Sequence, residues 1–217
     1  MNRSLSVVMV LGFATGAYAD TLWDQPVNPD IPAFVDQQFA DFPDFSTYLV
    51  SDVVFDTAVN IDSITTYFPN LNGGWPLGDV GAVLNIFDAP LEPGDDPTAG
   101  MAVAATMALG PVGLELTTLT DIDLAAGTYW IGLTPDLDFG IFGQEFHQGS
   151  DVIFGMNSMA RNPGGGFGLG TDWFEAGPTF EGIDPWDAAI TITGTATPTP
   201  GALALLGLAL VAPRRRR

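Results

Sequence analysis

The chemistry available to this sequence rests on its acids. There are 26 acidic residues, 21 Asp and 5 Glu, against six arginines, no lysine, no cysteine and one histidine. A single histidine, His147, cannot supply a two-histidine zinc site. The lack of cysteine removes thiol nucleophiles, cysteine zinc sites and haem attachment through cysteine. His147 lies near Ser150 and Asp151, but no Gly-x-Ser-x-Gly accompanies it, so it reads as a surface-loop residue rather than a triad base. The run Asn162–Gly170 is rich in glycine but lacks the lysine and hydroxyl residue of a phosphate cradle, and reads as a flexible hairpin loop.

Three constellations remain. Aspartates recur in close pairs: Asp95 with Asp96, Asp121 with Asp123, Asp136 with Asp138, and Asp184 with Asp187. Hard cations take carboxylate and carbonyl oxygens from loops, so a structural Ca2+ is the metal these pairs suggest. None fits an EF-hand. Counting from Asp136, the fifth position is Gly140 and the closing position is His147 rather than Glu. Solvated turn acids are the alternative reading of every pair. Second, Trp75, Trp173 and Trp186 fall beside Gly, Pro or Asp in predicted loops, where an aromatic face could stack on a sugar. The competing reading is that they cap the ends of the core. Third, a glycoside hydrolase needs two carboxylates across one cleft. Glu115, Glu145, Glu175 and Glu181 are the candidates, and their convergence is not legible in sequence.

The elements that must position these residues are predicted to be strands. With 26 Gly, 17 Pro and acids that are mostly Asp, the chain favours turns over long helices. Proline-punctuated Asp20–Asp44 reads as an extended lead-in with one helical turn near Val35–Ala40, and Phe34, Phe39, Phe42 and Phe45 read as sealing an edge of the core. Strand signals follow at Thr47–Phe55, Ala58–Phe68, Ala82–Phe87, Val112–Thr117, Thr128–Leu133, Asp151–Met156 and Ala188–Thr195. In Ala58–Phe68 the apolar phase slips by one residue near Asp62-Ser63, which predicts a β-bulge. Trp130, inside the strongest of these strands, is expected in the core. The sum is an all-β fold, a single jelly-roll-like β-sandwich of about eight to ten short antiparallel strands over residues 20–197.

Both ends read as addresses rather than structure. Residues 1–19 have the form of a secretory signal peptide: Arg3, an apolar centre Leu5–Ala14, and the small-x-small cleavage site Ala17-Tyr18-Ala19. Residues 198–217 run Pro198-Thr199-Pro200, a polar-free stretch Gly201–Ala212, Pro213, and then Arg214, Arg215, Arg216 and Arg217. Twelve apolar residues are short of the ~20 a spanning helix needs, so the tail suits transient membrane contact, held by the cytoplasmic arginines. This order of features resembles the bacterial PEP-CTERM sorting signal, although that family carries Pro-Glu-Pro where this chain has Pro-Thr-Pro. The resemblance covers the last ~20 residues and implies an exosortase-type membrane enzyme as partner.

Between the two signals lie all 26 acids and only one base, Arg161, giving that body a formal charge of −25. Such a surface repels nucleic acid and anionic lipid. The expected function is an exported, non-enzymatic protein of the cell surface or extracellular polysaccharide, structural or adhesive. A carbohydrate-binding module is the alternative, and a carboxylate-based glycoside hydrolase the third reading.

Overall fold

The computed structural model describes residues 19–69, 76–180 and 182–197. The signal peptide up to Tyr18, with Ala17, lies outside the described residues. So does the whole sorting tail, with Pro198, Thr199, Pro200, Arg214, Arg215, Arg216 and Arg217, and so do Trp75 and Glu181. Ala19 is described and exposed.

Among the described residues, fourteen strands follow in chain order: β1 (Asp20–Gln25), β2 (Phe34–Val35), β3 (Tyr48–Phe55), β4 (Val59–Phe68), β5 (Gly78–Asp88), β6 (Met101–Gly110), β7 (Gly113–Leu124), β8 (Gly127–Asp136), β9 (Phe146–His147), β10 (Gly149–Ser150), β11 (Met159–Arg161), β12 (Phe174–Glu175), β13 (Asp187–Ala188) and β14 (Ile190–Ala196). Two short helices, α1 (Phe139–Phe142) and α2 (Ala176–Phe180), are inserted late. Among the described residues no helix is long and apolar enough to cross a membrane.

The all-β expectation holds, but hydrogen bonding does not divide the strands into the two sheets of a jelly roll. Ten strands form one sheet in the order β1-β14-β4-β7-β6-β5-β8-β3-β11-β12, with β10-β13 and β2-β9 as separate pairs. The sheet curls over one apolar core made of alternate residues, among them Ile61, Ile64 and Phe68 of β4, Leu114 and Leu116 of β7, and Ile131 and Leu133 of β8. The central strands are also longer than expected, ten to twelve residues for β4 to β8.

The predicted bulge is present. Along β14, Thr193 and Gly194 are consecutive, yet they pair with Ser63 and Ile61, so Asp62 is the extra residue on β4. The extra residue turns the buried set from Val59 and Ile61 to Ile64, Thr66 and Phe68. On its other side β7 carries its own extra residue opposite the same point, since Ile61 and Ser63 pair with Ile122 and Leu119.

Two local predictions fail. Val35–Ala40 is no helical turn: Phe34–Val35 pairs with β9, and Gln37 and Gln38 bridge to Thr47 and Asp136. The buried Gln37 amide donates to Leu137 O and Gly143 O, and its oxygen accepts from Glu145 N, which holds this segment extended. Asp151–Met156 is a loop rather than a strand, with its N–H groups taken by side chains: Val152 by Ser150, Phe154 by Asp187 and Met156 by Asp52.

β3 and β8 are buried almost throughout because a second layer covers the face turned away from the main core. In it Phe34, Val35, Leu49, Ala160, Ala176, Trp186 and Ala188 form a smaller apolar cluster. Trp130 is fully buried, as expected of a core residue.

β6 makes a fork. Met101–Ala105 pair only with β5, Thr106 and Met107 pair with both β5 and β7, and Ala108–Gly110 pair only with β7, ending at Gly110↔Gly113. Beyond those limits β5 continues through Asn85–Asp88, and β7 through Thr118–Leu124 without β6. The Thr118 hydroxyl donates to Ala104 O at 2.9 Å at the point of divergence.

Candidate functional site

The fork encloses a groove of about 620 Å³. Leu84, Ile86 and Met101 form one wall, Ile122 and Leu124 of β7 the other, and the loop carrying Gly94, Asp95, Asp96 and Gly100 closes the end. A one-turn 3-10 helix at Pro97–Ala99 shapes that loop, capped by Asp96, whose Oδ1 accepts from Thr98 N and Oγ1. Asp95 Oδ2 accepts from Glu92 N. Trp173 braces the loop from outside: its Nε1 donates to Asp95 O at 3.0 Å, and its ring meets Phe87 edge-on at 5.9 Å. Arg161 joins in, with Nη1 donating to Asp95 O at 2.6 Å and its guanidinium 5.9 Å from the Trp173 ring centre. Trp173 and Asp95, read separately in the sequence, are thus neighbours.

Trp186 is not a sugar-stacking surface. It is 1% exposed, packs 6.3 Å from Phe34, and spends its Nε1 on Pro32 O. A flanking Asp184-Pro185 looks like loop in sequence, yet the loop is folded into the second layer.

A second concavity, of about 270 Å³, is lined by Phe39, Phe42, Phe45, Phe139, Gln144 and Phe167. Phe39 is buried, but Phe42, Phe45 and Phe139 are 40–49% exposed, so only part of the predicted phenylalanine cluster seals the core. Three segments build the walls. Asp41 holds α1 by accepting from Phe139 N and Gly140 N at 2.9 and 2.8 Å. The glycine-rich loop is not free: Asn162 donates to Asp44 O and Ser46 O and accepts from Phe167 N, and Gly166 N donates to Asp44 O. Phe42 and Phe139 meet edge-to-face at 5.8 Å, and Phe45 and Phe167 at 5.2 Å.

His147 is not at the surface. It is buried on β9, with Nδ1 3.0 Å from Asp36 Oδ2 and Nε2 2.7 Å from Ala189 O. The alternation that puts His147 inward was hidden because β9 is only two residues long. Burial pushes the Asp36 carboxyl up, opposed by His147 and by the Thr134 hydroxyl, which donates to Asp36 Oδ1. With both ring nitrogens engaged, the imidazole has no lone pair facing a substrate, and its place is structural.

The described hydrolase candidates lie on different elements. Glu115 lies on β7, Glu175 accepts from Asn157 at the surface, and Glu145 is fully buried. Neither carboxylate oxygen of Glu145 has a partner among the described residues, and burial raises its pKa to about 7. At the surface Glu175 shares the Asn157 amide nitrogen with Asp184, and inside the fold Asp52 and Asp187 are two buried carboxylates whose charges interact. Burial lifts Asp187 to about 7 despite hydrogen bonds from Phe154 N and Ser158, and the Asp52 charge adds to the rise.

The aspartate pairs lie at separate places in the fold. Ca2+ takes about six to eight oxygens, and among the described residues no three His, Asp or Glu side chains converge on a common point. Asp121 and Asp123 both accept from the Asn60 amide, at 2.8 and 3.0 Å. Asp136 ends β8, whereas Asp138 precedes α1. Asp184 accepts from Asn157, and Asp187 from Gln25.

No protein-family model matches this chain, and no curated protein matches it either.

Proposed function

We propose that this chain is an exported β domain with a non-catalytic, structural or adhesive role at the cell surface or in extracellular polysaccharide. In this reading an exosortase-type enzyme sorts it through Pro198-Thr199-Pro200 and the arginines Arg214, Arg215, Arg216 and Arg217. The observation that carries the adhesive role is the exposed phenylalanine cavity. Exposed apolar surface gathered around a concavity is the usual mark of an interaction site, and here it is preassembled from three segments tied by hydrogen bonds that join Asp41, Asn162 and Gly166 to backbone groups. Exposed Asp41 and Asp44 flank it. The partner whose chemistry suits it presents an apolar side chain among basic ones.

A lysine–phenylalanine copolymer and polylysine of the same length, assayed side by side, test this reading. The copolymer should bind at least tenfold more tightly, and Phe45→Asp or Phe139→Asp should remove the difference. Equal binding of the two polymers would count against the cavity. Sorting is tested by fractionating cells that express the chain with Arg214, Arg215, Arg216 and Arg217 all replaced by Gln; an unchanged distribution would remove the role given to the tail.

Carbohydrate binding is the second reading. It is supported by Trp173, Phe87 and the Asp95-Asp96 loop meeting beside the fork groove.

A further inference from the structure

Asn85 projects from β5 at the fork. It is 1% exposed and lines the groove, and neither its amide nitrogen nor its amide oxygen has a hydrogen-bond partner among the described residues. A buried carboxamide left unpaired opposes folding, since water is surrendered and nothing replaces it. The neighbouring backbone packs close against that amide. A side chain at Gly100 would strike Asn85 Oδ1 and Val83 Cγ1, so glycine there leaves the amide its place at the groove wall.

We infer that the fork groove binds a neutral N-acetylated saccharide unit, with its acetamido group paired to the Asn85 carboxamide. This deepens the carbohydrate-binding reading and rests on it. The Asn85 carboxamide offers both a donor and an acceptor, so an acetamido group can present its carbonyl to the amide nitrogen or its N–H to the amide oxygen. The acetamido methyl then lies against Leu84, Ile86 and Met101, and the sugar ring against Ile122 and Leu124. Asp95 and Asp96 each use one carboxylate oxygen inside their own turn, and the second oxygen accepts sugar hydroxyls. The same two charges reject uronic acids and sulfated sugars, because like charges at short range repel. Trp173 is a positioning residue here: it holds the Asp95 carbonyl and thereby the loop that closes the groove.

Calorimetry of the purified protein with N-acetylglucosamine oligomers, glucose oligomers of equal length and an acetyl-capped alanine peptide tests the inference. The acetylated sugar should bind at least tenfold more tightly than either of the others. Asn85→Leu should abolish that preference while the melting temperature stays level or rises, because the substitution removes an unpaired amide. Gly100→Ala should weaken binding by a similar factor, and it decides alone should Asn85→Leu fail to fold. Equal affinity for the two sugars, preference for the peptide, or a preference that survives both substitutions would overturn the Asn85 assignment. Should glucose and acetylated oligomers bind equally and both be lost in Trp173→Ala, the carbohydrate reading stands and the acetamido subsite falls. No binding to any sugar removes both.

Discussion

The Ser158 hydroxyl donates to Asp187 Oδ1 at 3.0 Å when that carboxyl is ionised, and in that state Ser51, 2.7 Å away, is the donor to Ser158. Ser158 Oγ also accepts from Ala188 N at 2.9 Å, and Gln25 donates to the other Asp187 oxygen at 2.8 Å. This polar seam joins β1, β3 and β13 beneath the second layer. Burial raises the Asp187 carboxyl within this seam, which ties the seam to pH.

Stability should fall as pH rises from about 4 to about 7. Burial raises the carboxyls of Glu145 and Asp187 to about 7, so the folded state holds their protons more tightly than the unfolded chain does. Their contribution is complete below the ordinary carboxylate range and is lost as pH climbs to the folded value. Each tenfold difference in proton affinity is worth about 1.4 kcal/mol. Thermal melts at pH 5 and pH 8 should show the higher midpoint at pH 5, and Glu145→Gln should narrow the gap. A midpoint that rises with pH over this range would refute the assignment.

Trp173→Ala and Trp186→Ala should separate cleanly. Trp186 is fully buried against Phe34, and its loss should cost about 3–5 kcal/mol in urea unfolding. Trp173 is half-buried and mainly braces the Asp95 loop, so its loss should cost about 1–2 kcal/mol. The reverse order would contradict the placement of both rings.

Asn162→Ala should destabilise by about 2–4 kcal/mol, since one buried side chain satisfies Asp44 O, Ser46 O and Phe167 N. It should also release Phe167 from Phe45 and weaken copolymer binding at the phenylalanine cavity. Retained binding with lowered stability would show that the glycine-rich loop is not needed as a wall.

Gly132→Ala should prevent β3 and β8 from pairing. A Cβ at this position would overlap the Leu49 carbonyl and crowd Val50. Both strands are central and buried on both faces, so neither can shift away. The expected cost is about 3 kcal/mol or more, read as loss of a cooperative unfolding transition at ambient temperature. A melting curve like the parent's would mean that the two strands lie farther apart than found.

Sequence by itself determined the all-β class, because Gly, Pro and Asp break the chain into segments that alternate with period two. It even located the Asp62 bulge, since a phase slip in apolar residues is a local property of one strand. It placed Trp130 inside for the same reason. Tertiary structure decided what no local pattern records. Whether the strands form one curled sheet or two depends on which edges pair, and β6 leaves β7 after five residue pairs for reasons that lie in its partners. His147 and Trp186 looked exposed because their flanking residues are polar or turn-forming, yet a second layer built from distant segments buries both. Asn85 is a lone polar residue among apolar strand neighbours, and nothing local distinguishes it. Its unpaired amide acquires meaning only from Gly100 and from the strand that turns away beside it. Periodicity is written residue by residue, whereas a groove exists only between elements far apart in the chain.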